Sequence, residues 1–189
     1  MSLTSIDICS HALVKLGAGS ISSFNEDTTE AHVAKQLYDI TVEALLASYP
    51  WRFALKQVNL ARLLNQPDAD YRYAYALPKD CVRVLSAGAH KRGSGLNYRI
   101  VKQQLQTDSD TVTLTYLSKP DEADFPAFFT KALVSKLAAE FCLPLTESTN
   151  RTDYLLKLAA DDIQTARLID SQQSVPQAFQ DFSLIGVRQ

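Results

Sequence analysis

Two segments near the start of the chain carry apolar residues at helical spacing. In residues 4–16 they recur every three or four positions, which predicts a helix with one buried face. The pattern stops at Gly17, and glycine commonly follows the last turn of a helix. A second helix is predicted to begin at Asp27 and end at Pro50. Asp27 and Glu30 have the spacing of a reciprocal N-terminal cap, and proline cannot continue a helix.

The second predicted helix carries two neighbouring apolar stripes. A helix with one packing partner needs only one such stripe, so two stripes predict two partners. The first stripe is Val33, Leu37, Ile40, Ala44 and Ala47, and the second is Ala34, Tyr38, Val42, Leu45 and Tyr49.

The period changes to two in the middle of the chain. Three tyrosines alternate with arginine and alanine in residues 71–76, as in a half-buried strand. A glycine-containing loop at 88–95 is expected to join two strands. Short connections favour a mainly antiparallel meander. Further strands are predicted at 81–85, 98–102 and 110–117.

Helical spacing returns in the last third of the chain. Phe129, Leu133, Leu137 and Phe141 follow one another at steps of four, and a last helix is predicted over 149–169. Because helices one and two have a short connection, as do helices three and four, the four are predicted to form one bundle. The expected fold class is α+β, with a four-helix bundle, an inserted antiparallel β-rich subdomain and an extended C-terminal tail. These parts are assigned to residues 1–53 with 120–171, 54–119 and 172–189, respectively.

The tail has no long period but contains four large apolar residues in polar company. A core does not easily bury residues from so short and polar a terminus, so they are candidate contacts with another protein. They are Phe179, Phe182, Leu184 and Ile185.

The formal net charge of -2 conceals an uneven distribution. Residues 51–105 carry 10 Lys and Arg against 3 Asp and Glu, whereas residues 1–50 carry 2 against 6 and residues 106–189 carry 7 against 12. A basic block between two acidic ones supports complementary contacts between copies or with a partner. Such asymmetry is also common on solvated surfaces without a function of its own.

The sequence contains few signs of catalytic or metal chemistry. The three cysteines are far apart, and none of the three histidines has a metal-ligand spacing. The glycine loop lacks the order of a phosphate-binding loop and is expected to join strand to strand. We therefore expect a non-enzymatic protein without metal or cofactor. No leader or membrane span is recognised, so we expect it to be soluble within the cell that makes it.

The tyrosine and arginine residues of the middle block leave a second function open. Aromatic residues interleaved with arginine on a sheet stack the bases of single-stranded nucleic acid in many modules. The same pattern arises when tyrosines pack inward and arginines face water. The alternative function is therefore a single-stranded nucleic-acid-binding module.

Several segments together resemble the head-to-tail adaptor proteins of tailed bacteriophages, the group that includes tail tubular protein A. The segment at 6–54 has a helix ending in Leu16-Gly17 and a long helix ending in the corner Pro50-Trp51-Arg52-Phe53. The segment YALPKDCVRVL at 75–85 resembles the family's strand, Leu-Pro turn and strand. The segment FFTKALVSKLAAEFCLPLTES at 128–148 resembles its third helix. The likeness covers most of residues 3–170.

This resemblance implies an assembly function and no catalytic residues. Copies would form a ring, commonly dodecameric, between the portal and the tail or nozzle proteins in the virion neck, after assembly in the cytoplasm of the bacterial host. The ring would line the channel through which DNA passes without sequence specificity. The four tail residues would dock on the portal protein. The candidate basic contacts with the channel or a neighbouring subunit are Arg83, Lys91, Arg92 and Arg99.

Overall fold

The computed structural model describes residues 3–65, 67, 70–89 and 93–173. Two helices precede the strands and two follow them, in the order that the sequence predicts. The elements are α1 (Ser5–Lys15), α2 (Thr29–Ala47), β1 (Leu55–Asn59), β2 (Tyr73–Ala76), β3 (Cys81–Gly88), β4 (Arg99–Val101), β5 (Gln104–Thr107), β6 (Thr113–Ser118), α3 (Ala127–Thr146) and α4 (Thr149–Ser171).

The first two helices begin at threonine caps. Thr4 and Asp7 form a reciprocal capping box at the start of α1. Gly17 follows the end of α1 with a φ of 68°, a conformation that glycine adopts without steric cost. The cap of α2 is Thr28, whose side-chain oxygen accepts from the Ala31 N–H at 3.2 Å. The predicted start at Asp27 is therefore one residue early.

The predicted four-helix bundle is wrong, because α3 lies at the centre of the helices. α1, α2 and α4 each pack on α3, whereas α1 and α2 make few contacts with each other. The reason is that α3 is buried on nearly every side, so it accepts more than two neighbours. It also continues through Pro144, although a proline in a helix interior usually breaks or kinks the helix. Its buried residues are Phe129, Thr130, Ala132, Leu133, Val134, Ser135, Leu137, Ala138, Ala139, Phe141 and Cys142.

The single inserted β subdomain is also wrong, because the strands form two three-stranded sheets. The first sheet has the order β1-β6-β3 and the second has the order β2-β5-β4. All pairs are antiparallel, but apart from the neighbours β4 and β5, consecutive strands lie in different sheets, so the chain does not form a meander. A period of two identifies a strand and carries no information on its partner, which explains the error.

The two sheets differ in what they pack against. In the first sheet, Leu117 is fully buried within the helical core, and the half-buried Val82 and Leu85 pack against that core. A second, smaller core contains Tyr75, Ala87, Leu105, Val112, Leu114 and Tyr116. It takes residues from both sheets, so the first sheet connects the helices to the second sheet.

The corner after α2 is held by an aromatic core and a buried carboxylate. Trp51 is fully buried and donates from Nε1 to the Leu45 carbonyl at 2.9 Å. Its ring packs edge-to-face on Phe129, with 5.1 Å between the two ring centroids. Asp170, in the last turn of α4, is also fully buried. Its two carboxylate oxygens accept from the Arg52 backbone N–H at 3.2 and 3.1 Å. The end of α4 is thereby fixed to this corner.

Candidate functional site

The structure gives positions for two of the predicted site residues. Arg83 and Arg99 lie on β3 and β4. The other predicted contacts lie outside the described residues. These are Lys91 and Arg92 in the loop, and Phe179, Phe182, Leu184 and Ile185 in the tail.

Both described arginines contact groups of their own chain. Arg83 donates from Nη1 to the Ala47 carbonyl at 2.6 Å, where a cation is favourable at the C-terminus of α2. Arg99 donates to Asp70 at 2.7 Å and to Gln106 at 3.0 Å. The two arginines are therefore held in place, and their role toward another subunit or DNA stays a prediction.

The three tyrosines of residues 71–76 are in three different environments. Tyr75 is buried in the second core and donates its hydroxyl to the Ser109 carbonyl at 2.8 Å. Burial raises its pKa. The guanidinium groups of Arg62 and Arg99 lie 4.9 and 5.7 Å from the ring centroids of Tyr73 and Tyr71. Only Tyr71 and Tyr73 therefore retain an exposed part on which a base can stack.

The largest cavity characterised within the described residues is an acidic groove between α2 and the strands. It has a volume of about 930 Å³. Five carboxylates and two lysines line it, namely Asp39, Glu43, Asp80, Asp121, Glu122, Lys79 and Lys119. The acidic residues come from three separate segments, so the sequence gives only one local signal of the groove. That signal is the spacing of four between Asp39 and Glu43, which places them on one face of a helix.

Ion pairs and hydrogen bonds order this acidic groove. Lys119 bonds to Asp39 at 2.9 Å and to Glu43 at 3.1 Å. Burial opposes the charge of Lys119, but these two hydrogen bonds outweigh it and raise the pKa. The Tyr38 hydroxyl donates to Glu122 at 3.2 Å, and burial together with that carboxylate raises the pKa of Tyr38. The groove keeps an excess of negative charge.

Strand β1 forms one edge of the first sheet. It pairs with β6 on one side, and all five of its residues are exposed. Leu55 and Val58 are apolar and are 39% and 37% exposed. A strand at a sheet edge presents unpaired backbone groups that can bond to a strand from another chain.

A third surface is an apolar groove between α2 and α4, with α3 as its floor. Its volume is about 520 Å³. The stripe of α2 that contains Ala34, Tyr38, Val42 and Leu45 is buried against the core. The other stripe is only partly covered, and its Ile40 is 68% exposed. The apolar groove is lined by Val33, Gln36, Leu37, Ala139, Glu140, Leu143, Pro144, Thr152 and Leu156.

No protein-family model matches this chain, and no curated protein matches it significantly.

Two further findings concern the described part of the chain. None of its helices combines the length and apolar character needed to cross a membrane. In residues 3–65, 67, 70–89 and 93–173, no group of three or more His, Cys, Asp or Glu side chains is placed to hold a metal ion.

Proposed function

We propose that this chain is a non-enzymatic head-to-tail adaptor of a phage or prophage. Copies form a ring, with twelve as the expected number, between the portal protein and the tail or nozzle proteins. The ring lines the DNA exit channel in the virion neck, and DNA passes through it without sequence specificity. Assembly takes place in the cytoplasm of the bacterial host.

The observation that carries this proposal is the exposed edge of β1. An open edge with apolar side chains is a liability in a solitary protein, because it pairs readily with other chains. β1 has no proline, its only charged residue is Lys56, and both Leu55 and Val58 face outward enough to contact a neighbour. A strand of this kind supports a function in which another protein subunit covers the edge.

The acidic groove supports the same proposal from a different surface. Subunits in a ring meet through two unlike faces, so each subunit needs two different complementary surfaces. The acidic groove provides a negative face, and the basic residues of the middle block provide positive charge for the partner face. Charge pairing of this kind favours correct register and weakens as salt is added.

Three short motifs that carry the adaptor resemblance fall at the corners of the fold. Leu16-Gly17 ends α1. Trp51, at the corner between α2 and β1, is fully buried in the core. Leu77-Pro78 lies between β2 and β3. These three motifs lie where the chain changes direction, and they support the resemblance in the order of the elements.

The experiment that tests this proposal compares two lysine substitutions at sheet edges. Val58→Lys adds a charge to β1. Ile100→Lys adds the same charge to β4, which is an edge of the second sheet, and Ile100 is 45% exposed. Charges on an edge strand oppose pairing with another chain. By light scattering, we expect Val58→Lys to reduce the assembled mass and Ile100→Lys to leave it unchanged. Equal masses for wild type and Val58→Lys would contradict the role of β1.

The alternative function, binding of single-stranded nucleic acid, predicts a different result. Retention of an oligonucleotide would fall steeply with salt, because phosphate contacts dominate such binding. The burial of Tyr75 leaves Tyr71 and Tyr73 as the stacking candidates. The alternative would be favoured over the adaptor by two results together. The double variant Tyr71→Ala, Tyr73→Ala would lose oligonucleotide binding, and its solution mass would equal that of the wild type.

A further inference from the structure

The apolar groove is a place where the helices leave a gap. α2 and α4 both pack on α3, but they make little contact with each other. Between them Leu143 and Leu156 are 49% and 40% exposed, although both are large apolar residues. The sequence of α2 carries two apolar stripes, and the core fully covers only one of them. In the second stripe, Val33 and Leu37 pack against the core but stay half-buried, so part of that stripe is still uncovered.

The chain itself contains a segment with matching chemistry. Residues 174–189 follow α4 and include Phe179, Phe182, Leu184 and Ile185. Only Asp181 and Arg188 carry side-chain charges in that segment. Aromatic side chains of this size bury roughly 150–250 Å² each when they pack against apolar surface.

The length of the chain also fits. Arg167 donates from Nη2 to the Ser48 hydroxyl at 3.1 Å, so the last turns of α4 lie beside the end of α2. At a rise of about 1.5 Å per residue, Leu156 lies about 22 Å back along α4 from Ser171. Gln172 and Gln173 continue the helical turn, since their backbone N–H groups bond to the Ile169 and Asp170 carbonyls. An extended chain advances about 3.3 Å per residue, so it covers about 20 Å between residues 173 and 179 and about 30 Å between residues 173 and 182. Phe179 can therefore reach the near end of the apolar groove, and Phe182 can reach Leu156.

We propose that residues 174–189 dock in the apolar groove of their own chain, with Phe179 and the apolar residues after it covering the free stripe of α2. This inference does not rest on the adaptor function. If both hold, the docked segment is withheld from other proteins, and a partner that binds it must first displace it from the groove.

The test is disulfide formation between the groove and the terminal segment of the full chain. Gln36→Cys lies on the rim of the apolar groove, and Gln180→Cys lies next to Phe179, so neither removes an apolar anchor. The matched control pairs Gln180→Cys with Gln164→Cys, an exposed position on α4 that is much closer in sequence to residue 180. Cys81→Ser is included in all variants because Cys81 is half-buried, whereas Cys9 and Cys142 are buried.

The expected result is an intramolecular disulfide that forms severalfold faster in the Gln36→Cys pair than in the control pair. If the segment had no docking site, the disulfide would form faster in the control pair, because shorter loops close more readily. Adding Leu143→Asp should reduce the faster rate to the control rate. Since Leu143 is half-exposed, circular dichroism is expected to show an unchanged fold in that variant.

Three results would overturn the inference. They are a control pair that reacts as fast, a rate that Leu143→Asp does not change, and disulfides that appear only in covalent dimers. Because the intramolecular product has the mass of one chain, its presence or absence is independent of ring formation. Failure of this inference and failure of the adaptor function are thus separable.

Discussion

The buried carboxylate of Asp170 allows the most direct test of how the helices are fixed to the strands. Its oxygens accept from the Arg52 N–H at 3.2 and 3.1 Å, and its side chain is fully buried. Asp170→Ala removes the only acceptor that the structure gives this N–H. A donor that loses its acceptor costs about 1–3 kcal/mol when it is buried, and this hydrogen bond is partly buried. Asp170→Asn keeps an acceptor oxygen in the same place.

The difference between the two variants is therefore the quantity to measure. For a chain of this size, 1 kcal/mol corresponds to a shift in melting temperature of about 2–4 °C. We expect Asp170→Ala to melt about 2–12 °C below Asp170→Asn in calorimetry. Asp161→Ala, an exposed position on the same helix, serves as the control and should stay near wild type. Equal melting temperatures for the Ala and Asn variants would refute the capping role.

The same carboxylate also predicts a pH effect with a definite sign. Burial raises the pKa of Asp170, and the Arg52 N–H only partly opposes it. A folded-state pKa above the unfolded value means that the folded state binds the proton more tightly. This contribution to stability is present below the unfolded pKa and is lost as pH rises through the folded pKa. In Asp170→Asn, the free energy of unfolding should lack this decrease, which chemical denaturation across the acid range can measure.

Two further predictions concern single residues. Gly17→Ala should destabilise the chain by about 1 kcal/mol in denaturant unfolding, because φ is 68° at Gly17 and alanine is strained there. Gly19→Ala, which has open space and no positive φ, should cause no such loss, and equal losses would contradict the explanation. In thiol titration of the native chain, only Cys81 should react, since Cys9 and Cys142 are buried and Cys81 is half-buried. Its reaction should be slower than that of a free thiol, because burial raises the pKa of Cys81 as it does that of Cys9. Rapid reaction of more than one thiol would contradict this burial.

Local patterns predicted the helices well, because each helix has a face that water does not reach. Phe129, Leu133, Leu137 and Phe141 are all fully buried, as the spacing of four predicts. At the end of α4, however, Ile169 is 40% exposed while the neighbouring Asp170 is buried, which is the reverse of what their polarity favours. Asp170 is buried because it accepts a hydrogen bond from the Arg52 N–H, which is far away in the sequence. Hydrophobic spacing along one helix cannot predict such a bond.

The arrangement of the elements was less predictable. Strand pairing depends on contacts such as Val58 opposite Leu114, which are far apart in the chain. The acidic groove likewise combines Glu43 with Asp80 and Glu122 only after folding. The apolar groove had a visible signal, namely the second stripe of α2. That stripe predicts a second packing partner, and the structure leaves it partly open.

The measurement that most directly tests the adaptor account is the solution mass of the full chain, alone and with a portal protein, at low and high salt. The account predicts a ring near twelve times the 21.0 kDa of one chain, or a monomer that assembles only when the portal is present. The ring should weaken at high salt, where charge interactions are screened. A stable monomer or dimer whose mass does not change when the portal protein is added, and which binds single-stranded nucleic acid, would contradict the account.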